Sequence, residues 1–209
     1  MIHIAKYNIK DKVEQATTQE YDTKSFIIIF FLSAFIGWVL EVVLELIDNG
    51  RFVNRGVLIG PYLPIYGYGC LLVLLTFSKT KLKKVSSNAI ATFLLITLFC
   101  TILEYCTSIF LETVYGMKWW DYSNNILNFQ GRISLITSLF FGIAGCFALY
   151  DYAPFINNKI EKIPNKIITA ICIILICIYL IDSIYCIKYP NMGEGITIKV
   201  TNLGNLFKS

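Results

Sequence analysis

Residues 25–47 read SFIIIFFLSAFIGWVLEVVLELI. No charge appears before Glu41, and the run exceeds the roughly 20 helical residues that cross a bilayer's hydrocarbon core. Lipid offers the backbone no hydrogen-bond partner, so such a run must be a helix that satisfies its own polar groups. Four more apolar runs follow at 64–77, 88–114, 132–150 and 166–187, each bounded by short polar stretches. The pattern predicts an all-α fold, a polytopic membrane helix bundle of about five transmembrane helices.

Composition agrees. The chain is 56% hydrophobic and 15% charged, against about 25% charged in a soluble domain. A single bundle over 25–187 is expected, with a polar cytoplasmic segment 1–24 before it and an extracytoplasmic tail 188–209 after it. Residues 1–24 lack the form of a cleavable signal, so the first span is expected to remain in the mature protein. The run at 64–77 is short. It must borrow residues from Tyr62 or earlier, or begin as irregular backbone shielded by its neighbours.

Basic residues orient the chain. With the N-terminus cytoplasmic, 11 lysines lie inside, including Lys79, Lys81, Lys83 and Lys84, against 7 lysines and arginines outside. The positive-inside rule favours that arrangement. The net charge of +4 is small and its lysines flank apolar runs, which points to membrane lipids as partners and away from nucleic acid. The seven cysteines lie in or beside apolar runs without CxxC spacing and read as packing residues.

The acids inside the runs are the most informative residues. Ser33, Gly37, Glu41 and Glu45 recur at i, i+4 and share one helix face, as do Cys100, Glu104, Ser108 and Glu112. A carboxylate facing lipid costs about 3 kcal/mol or more, so Glu41 and Glu104 should face inward and find donors. The nearest donors are Arg51, Arg55, Lys118 and Arg132 in the two hairpins that follow. Arginine stays charged when buried and grips a carboxylate with two donors. A Glu–Arg network is therefore expected, built from Glu41, Arg55, Glu104 and Arg132. Asn54, Asp121 and Asn128 lie beside it in the hairpins. Glu45 and Glu112 are expected to reach toward outer water, and Trp119 and Trp120 to sit at headgroup depth. An Arg-Gly turn at a helix start could also receive a phosphate headgroup.

Each unit of acidic helix, arginine-bearing hairpin and return helix occurs twice, compatible with a parallel repeat of two helical hairpins. Ser134, Ser138, Gly142 and Cys146 form a small-residue stripe expected to pack helices. Asp182 is the one acid of the last run, and its partner is not legible. The chain has no GxxxxGK[ST] phosphate loop, and its single histidine, His3, lies in the polar N-terminal segment. No cofactor or metal site is expected, and nothing in the spacing argues for an enzyme.

The hairpin motifs resemble a known family. Gly37-Trp38-x-x-Glu41, Phe52-Val53-Asn54-Arg55-Gly56-x-Leu58-x-Gly60-Pro61-x-x-Pro64-Ile65-Tyr66-Gly67, Trp119-Trp120-Asp121-Tyr122-Ser123 and Asn128-Phe129-Gln130-Gly131-Arg132 are similar to a bacterial membrane family of type IV, CmpB-like ABC-transporter permeases. The resemblance implies a multi-pass transport component of the bacterial cytoplasmic (inner) membrane that works with a separate ATPase subunit. It implies no catalytic residue. A homo-oligomer is compatible with it. The alternative is a non-transporting membrane protein that binds a lipid headgroup or a partner protein.

Overall fold

A computed structural model describes residues 19–79 and 88–199. His3, the lysines at 6, 10, 12, 81, 83 and 84, and the tail beyond Lys199 lie outside the described residues. Four long apolar helical rods and one shorter apolar helix form an all-α bundle.

Helix α1 spans Thr23–Asn49 and α3 spans Ala89–Tyr115, 27 residues each. Their ends match. The Asp22 side chain accepts from the Ser25 N–H, and that of Asn88 from the Ala91 N–H, satisfying donors the first turn leaves open. Gly50 (φ 66°) and Gly116 (φ 68°) close the helices in the left-handed conformation that side-chain-free residues adopt readily. Helix α2 (Pro64–Lys79) packs back along α1, and α4 (Leu135–Phe147) along α3. Small residues permit both approaches. A Cβ on Gly67 would meet Phe30, and one on Gly142 would meet Thr97 and Phe93. The two hairpins meet where α2 touches α3.

Helix α4 does not stop at Tyr150, as its polar continuation suggests. It runs through a π-helical turn, Ala148–Tyr152, into α5 (Ala153–Ile160), giving one rod over Leu135–Ile160. Pro154 lacks the N–H that a regular helix requires there, and the bulge absorbs the mismatch. The buried Asn157 then ties the rod's end to the Glu20 carbonyl and Glu161. The last helix, α6 (Asn165–Lys188), lies against α1 and leaves most of its surface exposed. All the cysteines are free thiols; Cys70, Cys172 and Cys186 are buried.

Before α2 the chain from Gly56 to Leu63 is irregular, the second of the two alternatives open for the short span. Its backbone is satisfied by protein. The Leu63 N–H donates to the Ala34 carbonyl (2.9 Å), and Asp182 of α6 accepts from Gly60 N–H (2.9 Å), Ile59 N–H (3.2 Å) and Tyr62 Oη (2.5 Å). An acid in the last span thus fastens the first hairpin. The tail also returns over this end. Strand β4 (Ile198–Lys199) pairs antiparallel with β1 (Met117–Lys118), and Asn191 donates to the carbonyls of Asn54 and Gly56. The second hairpin is braced by β2 (Asn128–Phe129) paired with β3 (Ile133–Ser134).

Candidate functional site

The hairpin end of the bundle, capped by the two loops and the tail, carries the acids and arginines. They form two clusters. In the first, Arg55 stands 3.6 Å from Glu45 and 3.9 Å from Glu41, and its guanidinium also donates to the Gly195 carbonyl (2.9 Å) and weakly to that of Trp119 (3.4 Å). The cluster is half-buried. In the second, Arg132 stands 2.5 Å from Glu112 and donates to Ser108 Oγ (3.0 Å). Both of its charged side chains are under 5% exposed. The contact is a close charge pair, not an aligned hydrogen bond, since Glu112 Oε2 and Arg132 Nε have no hydrogen-bond partner.

This differs from the expected pairing. Glu112 and Glu45 take the arginines and do not merely reach toward water. Glu104 reaches no arginine among the described residues. One of its oxygens accepts from Tyr122 Oη (3.0 Å), and the other, Oε2, is buried without a partner. The reason is reach. Arg132 emerges at the foot of its loop level with Glu112, two turns further along α3 than Glu104. Arg55 and Arg132 are both occupied by carboxylates, and the exposed Arg51 stands 3.3 Å from Glu194 of the tail.

Two tyrosines complete the site. Tyr66 of α2 donates to Glu41 (2.7 Å). It lies flat on α1 because residue 37 is glycine; a Cβ there would run into its ring. Tyr122, in the second loop, bridges toward the first cluster. Burial pushes its hydroxyl above the ordinary tyrosine range, the charge of Glu104 and its bond to that acid add to the rise, Glu41 adds more, and Arg55 opposes it.

The remaining expected site residues brace the loops. Asn54 accepts from the Trp38 indole (2.5 Å) and donates to the Ile59 carbonyl (2.7 Å). Asp121 accepts from Ser123 N–H and hydroxyl. Asn128 bonds the carbonyls of Ser123 and Asn125 and accepts from Gly131 N–H, which closes the turn beneath Arg132. Trp119 is buried, and Trp120 donates to the Arg132 carbonyl, so both hold the loop. Ser134 caps α4 in a reciprocal box with Thr137, leaving Ser138 and Gly142 on the face packed against α3, with Cys146 half-buried beside the core. Tyr66 and Tyr122 escaped the sequence reading as partners of the acids. A tyrosine near a membrane interface looks the same whether it anchors the chain or serves an acid.

Below Tyr66 and Glu104 runs an apolar groove of about 290 Å³ between α1 and α4. Ile36, Phe140 and Phe147 stand exposed at its mouth, and Gly69, Cys70 and Val73 of α2 lie at its back.

An all-helical membrane bundle with charged groups gathered at one end defines a polytopic membrane protein. The chain belongs to the family described as "Putative ABC-transporter type IV", whose model matches residues 28–187. It is a membrane transport component of that family. No curated protein and no solved structure matches it.

Proposed function

We propose that the chain is the permease-like subunit of a bacterial cytoplasmic-membrane transport system whose ATPase is a separate polypeptide. The hairpin end is its polar site, near the outer leaflet, and the Asp22 end faces the cytoplasm. One observation carries this reading: the half-buried cluster of Arg55 with Glu41 and Glu45 sits beside Glu104, a buried acid that no cation reaches among the described residues. Ionisable groups within spans are costly and tend to mark a pathway. The family, the absence of a phosphate loop and the lysine asymmetry support the subunit role and the orientation.

The test is purification from the native membrane in mild detergent. A stoichiometric ATPase whose hydrolysis falls with Glu41→Gln is expected. A chain that carries bound lipid and never an ATPase contradicts it and favours a non-transporting lipid-binding protein, a reading to which the sideways mouth of the groove lends itself.

A further inference from the structure

Apart from Arg51, which the exposed Glu194 takes, four carboxyl groups and two guanidiniums meet at the hairpin end. Glu45 and Glu112 are each matched by an arginine. Glu41 shares Arg55 at 3.9 Å, and Glu104 has only a tyrosine hydroxyl. With all four acids ionised, the site has two more negative than positive charges. A buried charge without a counter-ion is costly, so the excess favours a cation from outside the chain.

The position of the excess restricts that cation. Glu104 is 3% exposed, its Oε2 is unpartnered, and it lines the apolar groove. From above, Tyr122 of the second loop covers it. From the side, the groove leads past Ile36 and Phe140 to the surface that faces lipid. A hydrated ion would have to shed its water along apolar walls. A molecule already dissolved in the bilayer would not. The volume is at the lower edge of the ~300–1,000 Å³ of small-molecule sites and suits one alkyl chain.

We propose that the groove between α1 and α4 receives the alkyl chain of a membrane-borne amphiphile with a primary ammonium head, and that the ammonium binds Glu104 Oε2 with Glu41 alongside. The inference rests on the transport reading for its physiological sense, as the substrate class of the same site. An ammonium has three donors, enough for Glu104 and for the oxygens around it. Tyr122 and Tyr66 hold the two acids in place by donating to their other oxygens.

The full chain in lipid nanodiscs is titrated with dodecylammonium, dodecanol, dodecyl sulfate and methylammonium, with binding read by native mass spectrometry and thermal shift. Dodecylammonium is expected to bind saturably, at least about tenfold tighter than each of the other three. Glu104→Gln keeps an acceptor for Tyr122 and is expected to weaken it by about tenfold or more. Gly69→Phe tests the groove independently, because a Cβ at Gly69 meets only Leu103 at ordinary contact distance. It is expected to abolish the advantage of the long chain. Equal binding of dodecanol, or of methylammonium, overturns the proposal even if Glu104→Gln does not fold. The assay needs no ATPase. Ammonium binding without any ATPase partner leaves this inference standing and sinks the transport reading; an ATPase partner without ammonium binding does the reverse.

Discussion

The two hairpins carry the same parts and use them differently. Around Arg132 the charges are sealed, under 5% exposed, and 2.5 Å apart. Around Arg55 the guanidinium is 22% exposed and its two acids stand 3.6 and 3.9 Å away, 12% and 31% exposed. A sealed pair resists loss of either member, because the survivor keeps a buried charge. A half-exposed pair is worth little to stability and is free to exchange partners. The Arg132–Glu112 pair is therefore a staple, and the groups able to respond to a ligand are Arg55 with its two acids and the unpaired Glu104 beside them.

Substitutions that break this contrast differ in size. Arg132→Gln is expected to cost the most, about 3–5 kcal/mol, by stranding Glu112. A large fall in melting temperature, or failure to accumulate in the membrane, reports it. The double change Arg132→Met with Glu112→Leu should recover much of that loss; no recovery would mean the pair does more than hold the loop. Gly37→Val forces the Tyr66 ring off α1 and removes its bond to Glu41, at about 1–3 kcal/mol of overpacking. Denaturant unfolding measures it. Asp182→Asn weakens the hold on Gly60, Ile59 and Tyr62 by about 1–2 kcal/mol, with faster hydrogen exchange at residues 57–62 as the local readout. Arg55→Gln is expected to change stability by at most about 1 kcal/mol while lowering transport activity. If it destabilised the protein as much as Arg132→Gln, the two hairpins would be equivalent staples.

Much of the fold was legible in the sequence. The apolar runs made the all-α membrane bundle legible, because crossing lipid demands length and composition together. The i, i+4 stripes put Glu41 and Glu104 on faces expected to turn inward; Glu104 is buried, and the Glu41 side chain is 31% exposed. The partners were not legible, since helical periodicity fixes a face while loop conformation fixes height. Arg132 met Glu112 rather than Glu104 for that reason, and Asp182 met a loop 122 residues away in sequence. The extension of α4 through Asp151 to Ile160 was hidden by its polarity, which on its own reads as a loop. The tail gave no signal because its contacts, through Asn191 and Gly195, are mostly to backbone.

The contrast between an acid paired with arginine and an acid that lines the groove without one can be read directly by chemical labelling. A membrane-soluble carbodiimide is added to the protein in native membranes, and the modified glutamates are identified by mass spectrometry. Modification of Glu104, with Glu112 untouched, is the expected result. Modification of Glu112 with Glu104 spared would show that the groove does not lead to the unpaired acid.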